Sequence, residues 1–102
     1  MKQLQYPVGK FTLPAEVTTE EIKKAIERIS VFPSRILEVV RQLSPAQLDT
    51  PYRPGGWTAR QVVHHCADSH MNAFIRFKLA LAEDAPVIKP YEGAAWAEQP
   101  DY

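Results

Sequence analysis

Only one cysteine occurs in the chain, Cys66, so no internal disulfide can staple it. A lone thiol near three histidines also lacks the paired C-x-x-C spacing of a structural zinc site. A reducing, cytoplasmic setting is the expectation that follows. No sign of charge predominates: twelve Lys and Arg oppose twelve Asp and Glu, for a formal net charge of zero. That removes the long-range field by which nucleic acid or an anionic membrane draws a protein in, and neither partner is expected. Nowhere do about 18 apolar residues follow one another, and the opening "MKQLQYPVGKF" has no apolar run of the signal-peptide kind. The expectation is a soluble protein. Internal repeats, low-complexity tracts and any convincing alternation of apolar and polar residues are missing too, which argues against a solenoid, a linker or a sheet. At 102 residues the chain reads as a single domain, residues 1–102.

What remains is helical. Pro7, Gly9 and Pro14 break up residues 1–17, which are expected to form an irregular arm lying on the domain. "TTEEIKKAIERIS" then offers a capping box, Thr18 with Glu21, followed by Ile22, Ala25, Ile26 and Ile29 at helical spacing. Pro33 removes one backbone donor and crowds the carbonyl four residues earlier, so this helix is expected to kink or restart before Ile36, Leu37, Val39, Val40 and Leu43 continue its apolar face. "SPAQL" reads as a short capped turn and "DTPYRPGGW" as a loop. A second capping box, Thr58 with Gln61, opens a helix of about 24 to 26 residues, enough to span a domain. Pro86 ends it, and "GAAWAEQPDY" has room for one further turn around Trp96. The fold class is all-α, with two long helices where a bundle needs three or four, so the chain looks like half of a domain.

Three histidines lie within seven residues of the second long helix: His64, His65 and His70. At 100° per residue, Val62, Val63, Cys66, Ala73, Phe74, Phe77, Ala80 and Leu81 form one apolar stripe, with His70 near its centre. His65, Ser69, Asn72 and Arg76 follow one border of the stripe, whereas His64, Asp68 and Ile75 point largely away. His64 and His65 are adjacent in sequence and diverge, so a single ion cannot easily take both. Periodicity alone reads His70 as a core histidine, His64 as a solvated one and His65 as able to join a site completed elsewhere. Cys66 is most simply a small buried hydrophobe, with coordination the lesser alternative. Arg53, Arg60, Arg76 and Lys78 are candidates for an anionic substrate, although scattered cations on a helical domain are ordinarily solvated or paired. Trp57 suits a hydrophobic staple, and Tyr91 and Trp96 a cover for the helix ends.

From "YPVGKF" at Tyr6 to about Glu98, and above all in "LDTPYRPGGWTARQVVHHCADSHMNAFIRFKLALAEDAPVIKPYEGAAWAE", the sequence resembles the N-terminal half of the YfiT-like branch of the DinB superfamily. That resemblance implies an up-down-down-up four-helix bundle, of which this chain supplies the first two long helices and the N-terminal arm. It further implies a divalent metal, nickel or zinc, held by three histidines, and an activity of metal-dependent hydrolase or bacillithiol-type S-transferase on a small-molecule substrate. The family pattern of a tryptophan, a small cap residue and a histidine eight residues after the tryptophan falls on Trp57, Thr58 and His65. His65 is therefore the metal ligand that the resemblance implies, ahead of His64 and His70, and no catalytic residue is assigned. The family's other two ligands form an H-x-x-x-H pair on its last helix, which has no counterpart here, since no histidine follows His70. Cys66 also stands where the family pattern expects leucine.

In a complete homologue such an ion would activate water for hydrolysis or a thiol for transfer. One histidine does not hold a catalytic ion tightly, so this chain alone is expected to be incomplete and inactive. Its uncovered apolar stripe is expected to drive self-association, most simply as a dimer of two helix pairs. The alternative is a non-catalytic α-helical interaction or dimerisation module.

Overall fold

The computed structural model describes residues 2–102. Five helices follow one another: α1, Lys2–Gln5; α2, Thr19–Arg41; α3, Pro45–Leu48; α4, Ala59–Ala82; and α5, Gly93–Ala97. Among the described residues there is no strand, only an isolated antiparallel bridge between Pro51 and Thr58. No helix among them is long and apolar enough to cross a membrane.

Each longer helix begins where a side chain replaces a missing backbone partner. At α4 the box is complete: Thr58 Oγ1 accepts from the Gln61 amide at 3.1 Å, and Gln61 Oε1 accepts from the Thr58 amide at 3.0 Å. Ser44 and Gln47 close the same reciprocal pair on α3, at 3.1 and 2.8 Å, with Pro45 at the first helical position. At α2 only half of the expected box forms, the Glu21 amide donating to Thr18 Oγ1 at 3.1 Å.

Two expectations about the first half of the chain need correction. The arm is not wholly irregular, because residues 2–5 form a helical turn. Lys, Gln and Leu are good helix formers, and the first breaker, Pro7, lies beyond them. Of the two outcomes expected at Pro33, a kink or a restart, the restart does not occur; α2 runs through Pro33 as one helix. Proline deprives only the Ile29 carbonyl of its donor, and 23 residues of otherwise regular helix carry that single loss.

The loop before α4 is tightly built. The Gly56 amide bonds the Arg53 carbonyl at 2.9 Å across Pro54 and Gly55, and Gly55 has φ of +73°. Proline followed by a positive-φ glycine is the combination a type II turn requires. The Tyr52 amide reaches the Trp57 carbonyl at 3.1 Å beneath the turn, so residues 51–58 form a small hairpin. After α4 the chain reverses at Ala85, itself at φ +44°, and returns antiparallel along the helix. Lys89 lies beside Arg76, Gly93 beside His65 and Ala97 beside Gln61.

That return covers one side of α4 and leaves the other open. Among the described residues Ala97 and Asp68 are the buried ones, while Phe74, Phe77 and Leu81 on the apolar stripe are 63, 68 and 87% exposed. Total accessible surface is 8806 Å², against about 5,800 Å² for a compact monomer of this length. The radius of gyration, 16.2 Å, likewise exceeds the roughly 13 Å of a close-packed domain. The excess surface is about 3,000 Å².

With no deep core, the caps carry an unusual share of local stability. Thr58→Ala should lower urea-unfolding stability by about 1 kcal/mol, measured by far-ultraviolet circular dichroism. Thr18→Ala, which removes only a half-box, should cost less.

Candidate metal centre

His65 sits where three elements meet: the start of α4, the 51–58 hairpin and the returning chain. Its ring lies 4.9 Å from that of Trp57 and 6.4 Å from that of Tyr91. Gly93 closes over one edge; a Cβ placed there would stand 3.5 Å from His65 Cε1 and 3.8 Å from Nδ1. His65 Nδ1 is buried with no hydrogen-bond partner. Leaving such an atom unpaired costs about 1–3 kcal/mol, so an imidazole held this way is short of a partner.

The other two histidines depart from the periodicity reading. His70, expected in the core, is exposed, with its ring 5.3 Å from that of Phe32 on α2. It does face the other long helix, but burial needs a second surface and that side of α4 is open. His64, expected in solvent, is half-buried against Tyr102 at 4.9 Å between rings. Asp68, placed on the outward side by the same periodicity, is 7% exposed. Its carboxylate accepts a short hydrogen bond from the Tyr102 hydroxyl, and its carbonyl accepts from Asn72 Nδ2 at 2.8 Å. The returning segment covers this polar side, which a helical wheel cannot anticipate. Asp68, Gly93 and Tyr102 carry no motif that would have singled them out.

Cys66 is half-buried, and burial raises its thiol above the ordinary range, which favours the inert hydrophobe over a thiolate ligand. Arg60 pairs with Asp49 at 2.7 Å, and that hydrogen bond, then the opposite charge, raises its already high pKa. Both side chains are exposed, so this pair adds little stability.

Beside His65 runs a groove of about 720 Å³. The second half of α2 forms one wall with Ile36, Val40 and Leu43, and α4 forms the other with Val62 and Val63. The hairpin closes its end with Tyr52, Arg53 and Trp57. Its size falls within the range of small-molecule pockets. Among the described residues, no three His, Cys, Asp or Glu side chains converge on one point. A divalent ion wants three or four donors, and the residues present supply one, His65, so they do not assemble a metal centre by themselves.

A profile of the DinB superfamily matches residues 28–101. The chain belongs to the DinB superfamily. Proteins of Bacillus mycoides and Bacillus cereus named "Putative metal-dependent hydrolase" are each 54% identical to it over 101 residues, covering 99% of this chain and 58% of theirs. Among solved structures, YfiT from Bacillus subtilis superposes with a TM-score of 0.90 at 47% identity, over 97% of this chain and 57% of that one. YfiT is described as "a probable metal-dependent hydrolase with an unusual four-helix bundle topology". The all-α architecture of this DinB chain is thus that of part of a YfiT-like bundle. It spans a little under three fifths of the length of the relatives it matches.

The Asp68 and Tyr102 contact carries a pH signature. Burial first, then the hydrogen bond to Asp68 and its negative charge, push the Tyr102 phenol well above its ordinary value of 10.0. The folded chain therefore favours the neutral phenol: its contribution is complete below about pH 10 and is lost only as pH rises through the raised value. In an ultraviolet titration of the four tyrosines, one should ionise late, and Asp68→Asn should make it ionise earlier while leaving the part of the rise that burial supplies.

Proposed function

We propose that this chain carries part of a metal-dependent hydrolase, in which His65 is one ligand of a divalent ion and the other ligands come from outside residues 2–102. The observation that carries the reading is the buried, unpartnered Nδ1 of His65, at the one histidine packed between two aromatic rings beside a groove. A ring packed against Trp57 and Tyr91 is oriented before it meets a partner. Nickel and zinc both suit imidazole donors and are the ions proposed. The names of the relatives support hydrolysis over the thiol S-transfer that the sequence also raised.

Titration with Ni²⁺, followed through the imidazole proton resonances, tests the ligand assignment on this chain directly. His65 should broaden at Ni²⁺ concentrations at least about tenfold below those needed for His64 and His70, the scale on which even an outer-shell partner alters affinity. Broadening of His64 or His70 first, or of all three together, would sink the assignment.

The uncovered surface supports a second reading, a dimerisation module. An excess near 3,000 Å² per chain is more than the roughly 1,000–2,500 Å² that each chain of most obligate homodimers buries. Two copies pairing their α2 and α4 faces would bring four long helices together and cover the stripe from Val62 to Leu81. Light scattering should then return the mass of two chains at micromolar concentration; a monomer at every concentration excludes this pairing. A dimer in which His65 has no preference for Ni²⁺ would favour the non-catalytic module over the hydrolase.

A further inference from the structure

Arg53 lines the groove beside His65 at its hairpin end, half-buried, and among the described residues no acidic side chain lines that groove. Asp49, the nearest acid along the chain, is already engaged by Arg60 at 2.7 Å, and that is the sole ion pair among the described residues.

The Arg53 side chain is also held in place. Its Nε donates to the Tyr52 hydroxyl at 3.1 Å and one terminal nitrogen donates to the Pro54 carbonyl at 3.3 Å. Beneath it, Gly56 permits the approach: a Cβ there would stand 2.7 Å from Arg53 Cγ and 2.9 Å from Tyr52 Cε1. The type II turn and the Pro51 to Thr58 bridge fix the hairpin that presents it. Two of the five guanidinium N–H donors are used on neutral oxygens, which leaves the rest of the fork available. A guanidinium ordered against its own backbone loses less freedom on meeting a planar oxyanion than a loose surface arginine does.

We propose that Arg53 is the anion-recognising residue of this groove, and that its ligand is a small molecule with an apolar body ending in a carboxylate or phosphate. The aliphatic walls from α2 and α4 take the body and Arg53 takes the oxyanion, while Trp57, its ring 4.9 Å from that of His65, lines the same groove. That this ligand is also the substrate rests on the hydrolase reading above; that it binds does not.

Binding of three probes to the full chain tests the proposal: 4-phenylbutyrate, phenyl phosphate and the neutral 4-phenylbutyramide. Chemical shifts of the Arg53 Nε–H and the Trp57 indole N–H report binding. At least one anion should bind and shift both signals, with the amide weaker by about tenfold or more, as loss of a charge-assisted pair requires. Whichever anion binds more tightly identifies the oxyanion class. Arg53→Gln should level acid and amide and Arg53→Lys should keep part of the difference. Arg35→Gln, on an exposed position outside the groove, should change nothing.

Equal binding of acid and amide, equal losses in the Arg53 and Arg35 variants, or no binding of either anion would overturn the proposal. The Ni²⁺ titration and the anion preference are read separately on the unsubstituted chain. If the Ni²⁺ assignment fails while that preference persists, the hydrolase reading falls and Arg53 stands; if His65 takes Ni²⁺ and the preference is absent, the reverse holds.

Discussion

Helix α4 is held along one side by the chain that returns over it, and the candidate site takes its shape from that contact. Gly93 lies over the His65 ring, Ala97 beside Gln61, and Tyr102 against Asp68 and His64. Local rules start the helix at Thr58 and keep it going, since it contains neither proline nor glycine. Those rules do not orient His65. The flanking Trp57, Tyr91 and Gly93 do so, and two of the three come from beyond the end of α4.

The opposite side of α4, which meets α2 only loosely, shows what an amphipathic helix does when one face is covered and the other is not. Polar Asp68 is buried and apolar Phe77 and Leu81 are exposed, the reverse of the usual order. The burial is accommodated because Asp68 has a hydroxyl partner in Tyr102. The exposure is a liability in an isolated chain, where it contributes no hydrophobic stabilisation and invites association. The candidate site lies at the covered side: one oriented imidazole with a buried unpaired nitrogen, beside a groove.

Both long helices, the caps at Ser44 and Thr58, the loop between them and the uncovered stripe were legible in the sequence, because each is written in local chemistry: cap residues, breakers and 3.6-residue spacing. Pro33 misled in part, since a single lost hydrogen bond is weaker than the regular helix on either side. His65 was legible only by resemblance. Periodicity put it on the border of the stripe and gave the deeper place to His70, and the structure reverses their burial. Spacing along one helix says which side chains share a face, not which face another segment will cover.

The sequence by itself determined that this chain is helical, where its long helices begin, and that each carries an apolar side. Those properties follow from interactions between residues three or four apart. Tertiary structure alone decided that the polar side of α4 is the covered one, that His65 is the enclosed histidine, and that Arg53 faces the same groove. Each depends on contacts between residues far apart in the chain, made where the return after Ala85 and the hairpin at Gly55 direct the backbone.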